Sequence, residues 1–389
     1  MRTTRIAAAL LATTAFVATS CGSDSGGDEA KPLDKIGTAE DTLNLIVWAG
    51  YAEDGSTYKE YDWVTPFEKN TGCDVQAKTA ATSDEMFSLM QTGQYDGVSA
   101  SGDSSVRLID AGLVAPVNTS LVKNYADLST FLKDQPYNTS DGKNYGIPHG
   151  WGANYLMYNT DVVSPAPDSW GVVFDPSSPY AGKVTAYDAP IYIADAALYL
   201  ATAQPDLGIK DPYSLTQAQF DAAVALLKQQ HGIIGEYWND YTKAQAAFES
   251  GSTVLGTTWQ IIYNLASANN PKLATVLPKE GATGWSDTWM ISSKAKHPNC
   301  MYMWMDYITS PDVQSQVATY FGEAPANPKA CDVIAATDAT FCDTFKATDA
   351  TFASAVKFWA TPRKKCLDGS GDSCVPFADW IKAWTEIKG

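Results

Sequence analysis

The sequence predicts an α/β protein of two lobes, each a mostly parallel sheet flanked by helices. Three observations point there. Residues 42–101 alternate strand-like and helix-like segments; about 350 residues lie beyond the N-terminal leader, more than one hydrophobic core usually serves; and no low-complexity stretch in that body is long enough to act as a floppy connector.

The elements follow in order. "TLNLIVWAGY", residues 42–51, alternates Leu43, Leu45 and Val47 and reads as a strand. Thr65, Pro66 and Glu68 read as the cap, first-turn proline and capping-box acid of a short helix that stops by Gly72. "CDVQAKTA" supplies a second strand, "SDEMFSLMQTG" a second helix, and "YDGVSASGD" a third strand running into a Gly/Ser turn. Strand, helix, strand, helix, strand is the order of a parallel sheet covered by helices. Farther on, "GKVTAY" is a strand ending at Asp188. Thr216 and Gln219 form a capping box ahead of Phe220, Ala223, Val224 and Leu227 at helical spacing. "NCMYMWMDYITSPDVQSQVATYFG" reads as two helices broken at Ser310 and Pro311.

The first twenty residues have the three parts of a secretory signal: Arg2 and Arg5, an apolar run from Ala7 to Val17, and small residues before Cys21. That run is too short to span a bilayer as a mature helix. Small residues followed by Cys21 resemble a bacterial lipobox, in which the signal is cut before the cysteine and its amine and thiol are acylated. Ala18 stands where the lipobox usually has Leu, and the alternative is a plain secretory signal. Residues 22–30, rich in Gly, Ser and Asp, read as a flexible tether. The expected place of work is outside the cytoplasm, lipid-anchored beside a membrane that the chain does not cross.

Removing residues 1–20 leaves 25 basic residues against 44 acidic ones, a net charge of −19. Such a surface repels a phosphate backbone, and no Lys/Arg cluster with interleaved aromatics opposes it, so nucleic acid is excluded as a partner. The acidity favours a cationic ligand, although solubility outside the cell explains it equally well. Six cysteines remain after Cys21, an even number in an exported chain, and suggest up to three disulfides. Cys366 and Cys374 enclose a loop with almost no apolar content and are expected to pair locally. Six cysteines allow fifteen connectivities, and the pairs expected for the rest are Cys331–Cys342 and Cys73–Cys300.

Enzyme signatures are weak. There is no G-x-S-x-G, P-loop, G-x-G-x-x-G or H-E-x-x-H motif, and three histidines with no Cys-x-x-Cys give zinc little to draw on. What stands out is aromatic side chains alternating with isolated acids at segment ends. Open sheets bind ligands beyond the carboxyl ends of their strands, and that rule selects Trp48 and Tyr51, Ser101 with Asp103, and Asp188. Trp259 ends "STVLGTTW", and Trp285 with Asp287 falls in "GATGWSDTWM". An amine there gains about 0.5–2 kcal/mol per well-placed ring face and about 1.5–3 kcal/mol from a charge-assisted hydrogen bond. Core packing is the competing reading for each Trp singly. His149, in "IPHGWG", lies beside this region; a histidine satisfied by its neighbours is the simpler reading.

These residues also carry a resemblance. Through "VWAGY", "FEKNTG", "YDGVSAS", "YGIPHGWGANYLMYNTD", "DSWGVVFDPSSPYAGKV", "VLPKEGATGWSDTWMI" and "SPDVQSQVATYFG", the chain resembles the periplasmic spermidine/putrescine-binding proteins of polyamine ABC importers, from about Leu43 to Pro328. The resemblance implies a periplasmic-binding-protein fold, a monomer that hands its ligand to a membrane permease, no cofactor and no catalysis. The expected division is a signal (1–20), a lipidated tether (21–38), one lobe from 39–149 with 288–330, and a second from 150–287 with 331–389. Family ligand positions fall on Trp48, Tyr51, Ser101, Asp188, Trp259, Trp285 and Asp287, with Asp188 and Asp287 expected to take the ligand's charges and Trp259 and Trp285 to flank its carbons. Gly50 and Ile191 replace two family acids, Asp103 replaces an aromatic, and the family's C-terminal glutamine has no clear counterpart. The expected ligand is therefore a smaller or singly charged amine, putrescine-like or zwitterionic, rather than spermidine. The alternatives are a sugar, a ferric ion, an exported hydrolase or lyase, and a purely structural lipoprotein.

If the leader reading is right, Cys21→Ser releases the protein from the membrane fraction into the soluble extracytoplasmic fraction, measured by detergent phase partitioning; a variant still recovered in the detergent phase refutes lipidation at Cys21.

Overall fold

The computed structural model describes residues 31–366, 368, 369, 371 and 373–389. Residues 1–30, which hold the expected signal, Cys21 and most of the tether, lie outside the described residues.

The first lobe begins with β1 (Thr42–Val47), β2 (Asp74–Thr79) and β3 (Gly97–Ala100), joined by helices Val64–Thr71 and Ser83–Gln91. β1 pairs in parallel with both β2 and β3, as the alternation of Leu43, Leu45 and Val47, all buried, requires. A small hairpin of β4 (Thr139–Ser140) and β5 (Lys143–Asn144) leads into the long β6 (Ile147–Asn159). The second lobe repeats the parallel theme with β7 (Val184–Tyr187), β8 (Ile234–Trp238) and β9 (Leu255–Trp259), β7 lying between the other two. β10 (Leu273–Val276) edges β6, and β11 (Ala282–Ile291) returns to the first lobe.

The strand order is β2-β1-β3-β11-β6-β9-β7-β8. Each outer trio is parallel, while the two central strands run antiparallel to each other and to β3 and β9. β6 belongs to both lobes: residues up to Ala153 pair with β11, and Asn154 to Tyr158 pair with β9. Two late strands finish the junction, β12 (Ala324–Pro325) on β6 and β13 (Val356–Phe358) on β11. This is the α/β periplasmic-binding-protein fold expected from the sequence.

Most local readings hold, and one is corrected. The Thr216 N–H donates to Gln219 Oε1 at 2.8 Å, closing the capping box of helix Gln217–His231. The "NCMYMWM…" segment is two helices, Pro298–Ile308 and Pro311–Phe321. The first helix, however, starts at Val64 and is capped from Asp62, whose Oδ1 accepts the Thr65 N–H at 3.0 Å. Glu68 is no capping-box acid, because its carboxylate reaches across to accept the Val75 N–H at 2.8 Å and so pins the helix to β2. The three disulfides are Cys73–Cys300, Cys331–Cys342 and Cys366–Cys374; the first ties the chain just before β2 to helix Pro298–Ile308 across 227 residues of sequence.

The junction between lobes holds a buried polar chain. Asn154 Nδ2 donates to Thr283 Oγ1 at 2.7 Å, and Thr283 donates to Asp195 Oδ1 at 2.9 Å. Among the described residues, no cation joins Asp195, and burial pushes its carboxyl up to about 7. A carboxyl whose folded value lies above its unfolded one contributes stability that is full below the unfolded value and is lost as pH rises through the folded one. Asp195→Asn keeps an acceptor for Thr283 but cannot ionise. Its melting temperature relative to the parent is therefore expected to climb between pH 5 and pH 8 in thermal-denaturation scans; a constant or falling difference contradicts the assignment.

Candidate functional site

Between the two lobes lies a cavity of about 250 Å³. Its walls come from the carboxyl ends of parallel strands in both lobes: Trp48 after β1, Ala80 and Ala81 after β2, Ser101 after β3, Asn239 to Tyr241 after β8, and Trp259 closing β9. Trp285 and Asp287, from the crossing strand β11, and Phe321 and Trp359 complete it. Strand ends converge here because each following loop must turn away from the sheet, which leaves a crevice at the topological switch.

The walls are aromatic. On the second-lobe side Tyr187 stacks on Trp359 with centroids 5.5 Å apart and touches Trp259 at 5.4 Å. Trp238 meets Trp259 edge-on at 4.9 Å. On the other side Phe321 stands edge-on to Trp285 at 6.0 Å and to Tyr51 at 4.9 Å. Aromatic ring faces bind cations and hydrocarbon chains alike.

The charge sits at the floor. Asp287 is 3% exposed; the Ser101 hydroxyl donates to its Oδ1 and the Tyr51 hydroxyl to its Oδ2, the latter at 2.7 Å. Burial, reinforced by the nearby Asp103 carboxylate, pushes Asp287 up to about 7 despite those two donors. Among the described residues, no lysine or arginine forms an ion pair with it. Behind it lies a second acid, Glu323, 3.0 Å from the same Tyr51 hydroxyl and held far above the usual carboxylate range by burial and by Asp287. Burial drives the His149 imidazole down to about 3, so it is neutral.

Five of the residues singled out from sequence, Trp48, Ser101, Trp259, Trp285 and Asp287, therefore line one cavity. Tyr51 stands behind the lining, fully buried, and reaches it through Asp287. Asp103 points into its own lobe, where the Ser83 hydroxyl donates to its Oδ1 at 2.8 Å. Asp188 is the clear correction. It lies outside the cavity, with Lys388 Nζ at 2.6 Å and Trp384 Nε1 donating at 3.0 Å. Both partners sit on the C-terminal helix Phe377–Lys388, which packs over the end of β7 and takes up the charge. His149 also misses the cavity: the Trp289 indole N–H donates to its Nδ1 at 3.0 Å.

Sequence reasoning missed Asn239, Asp240, Tyr241, Phe321, Glu323 and Trp359. The strand-end rule finds the first three once β8 is read as a strand. Nothing in "VKFWATP" announces Trp359, which arrives only because β13 adds to β11. The two glycines of "HGWG" prove to be steric: a Cβ on Gly150 would overlap the Glu323 carboxylate, and one on Gly152 would lie 2.8 Å from the Trp285 ring. Among the described residues, no group of three or more His, Cys, Asp or Glu is arranged to hold a metal ion.

An aromatic crevice between two lobes, floored by a carboxylate, suits a receptor for a small solute. The chain belongs to the bacterial extracellular solute-binding proteins, whose family model matches residues 62–342. It is thus a binding protein rather than an enzyme and works outside the cytoplasm. It is 26% identical over 301 residues to the spermidine/putrescine-binding periplasmic protein of Escherichia coli, covering 74% of this chain and 83% of that one. The spermidine/putrescine ABC transporter substrate-binding protein of Streptococcus pneumoniae superposes with a TM-score of 0.68 at 19% identity, covering 90% of this chain and all of that one. A glucopine-bound periplasmic binding protein of Agrobacterium tumefaciens superposes with a TM-score of 0.69 at 17% identity, with the same coverage.

The glycine packing has a measurable consequence. Gly150→Ala is expected to cost about 1–3 kcal/mol in urea unfolding, because the added methyl drives the Glu323 carboxylate aside. Gly232→Ala, whose added carbon would meet nothing nearer than 3.5 Å, should stay within about 0.5 kcal/mol of the parent; equal effects at the two sites refute the steric role.

Proposed function

We propose that this protein is the lipid-anchored receptor of an ABC importer and captures a small amine, putrescine-like rather than spermidine-like, for delivery to a membrane permease. The observation that carries the reading is Asp287, a carboxylate lining a cavity walled by indole rings and paired with no cation among the described residues. One ammonium of the ligand sits on Asp287 and the methylene chain lies between Trp285 and Trp259. The far end meets Asp240 and Tyr241 after β8, where Asp240 Oδ1 already accepts the Thr242 N–H at 2.9 Å. Because Asp188 is spent on Lys388, the cavity has one deep anion; each further buried ammonium without one costs several kcal/mol. The similarity to polyamine-binding periplasmic proteins supports the same class of ligand.

A zwitterion with an amine at one end is the second reading. It is favoured by Trp48 and Trp359, which line the cavity and whose buried indole N–H groups have no acceptor among the described residues.

Isothermal calorimetry with putrescine, spermidine, γ-aminobutyrate and a neutral sugar tests both. Putrescine is expected to bind at least as tightly as spermidine, and Asp287→Asn to lose about a hundredfold in affinity, or about 2.7 kcal/mol. Clear preference for spermidine overturns the size argument, tighter binding of γ-aminobutyrate selects the second reading, and binding of the sugar alone overturns the charge argument.

A further inference from the structure

Tyr51, Asp287 and Glu323 bring three oxygens together beneath the cavity, and the protons they share are countable. The Tyr51 hydroxyl carries one proton yet lies 2.7 Å from Asp287 Oδ2 and 3.0 Å from Glu323 Oε2. It can donate well to only one of them. The shorter contact and the second donor, Ser101 on Oδ1, both belong to Asp287. Among the described residues, Glu323 is left with no donor within hydrogen-bond distance: its Oε1 is buried without a hydrogen bond, and the facing nitrogen, His149 Nε2, stands 3.7 Å away. Because Trp289 donates to His149 Nδ1, the ring proton sits on Nε2, and the neutral ring brings no cation to Glu323. An ionised carboxylate with no hydrogen bond in this place costs several kcal/mol. The cheaper arrangement puts a proton on Glu323 Oε2, which donates to the Tyr51 oxygen while Tyr51 donates to Asp287.

Resting on the functional reading above, we propose that Glu323 is a positioning residue: it stays protonated and acts through Tyr51 to keep Asp287 ionised for the ligand's ammonium, so the site offers one negative charge rather than two. The other titratable groups facing the pair are Asp103, itself near Arg107 and Asp84, and the Tyr137 and Tyr187 phenols. None brings a positive charge to either carboxyl. The direction of the Glu323 shift, far upward through burial and Asp287, agrees. The relay makes Glu323 a specificity determinant that never touches the ligand: a doubly ionised pair would recruit a second ammonium to the same end, and a singly ionised one admits one.

The test is the pH profile of putrescine affinity between pH 5 and 9, by calorimetry, in the parent and in Glu323→Gln and Glu323→Leu. Affinity should fall about tenfold per pH unit on the acid limb, where Asp287 takes up a proton. Glu323→Leu removes the donor to Tyr51 and should move that limb to higher pH with at least a threefold loss of affinity at pH 7. Glu323→Gln, whose amide can donate in place of the carboxylic acid, should restore the parental profile. A limb moved to lower pH in either variant means that Glu323 was ionised and repelled Asp287, and overturns the proposal; an unmoved limb in Glu323→Leu overturns it too. If no amine binds at any pH, the functional reading fails. The proposal is then decided by carboxyl-carbon NMR of the ligand-free protein: a glutamate signal protonated at pH 7.5 and missing from Glu323→Gln supports it, and an ionised one overturns it.

Discussion

A carboxylate in a dry, aromatic place without a cation is unfavourable, and the site is organised around that fact. Asp287 is buried on a strand whose ten residues are all buried. Among the described residues, its oxygens are served by the Ser101 and Tyr51 hydroxyls rather than by lysine or arginine. Two neutral donors soften the desolvation of the ion without cancelling its charge. The remaining field is directed at the cavity that Asp287 lines. Had the carboxylate met an arginine of its own, as Asp188 meets Lys388, the same walls would favour only apolar or sugar-like guests.

The two crossing strands make this arrangement possible. β6 and β11 carry backbone hydrogen bonds from one lobe into the other, so side chains on them hold their positions relative to both sheets. Asp287 and Trp285 are on β11, while Gly150 and Gly152, the flat surfaces under Glu323 and Trp285, are on β6. The other lining residues come instead from strand ends of each lobe, Trp48 and Ser101 on one side and Trp259 and Tyr241 on the other. Floor and jaws are thus built from different strands. Such a division suits a receptor whose lobes move about a fixed binding point.

Much of the fold was legible in the chain because its signals are local. Leu43, Leu45 and Val47 alternate as a buried strand must, Thr216 and Gln219 close a box across three residues, and Pro311 stops one helix and starts the next. The start of helix Val64–Thr71 was misplaced for an equally local reason: Asp62 and Thr65 compete as caps, and Glu68 had a better partner in β2. Of the site, the residues at strand ends were legible through the switch-point rule. Asp188 was misjudged because the rule is blind to what later covers a strand end, here a helix almost two hundred residues on.

By itself, then, the sequence determined the order of strands and helices, the acidic exterior, the even set of body cysteines and the presence of aromatic–acid pairs at strand ends. All of these depend on neighbours within a few residues or on composition. Only the tertiary structure decided which acid faces the cavity and which is neutralised, that Trp359 and Phe321 join the walls, and that Glu323 stands behind Asp287. Those outcomes depend on distances between residues far apart in the chain, and the cost of a buried charge is set by whatever the fold places within a few ångströms of it.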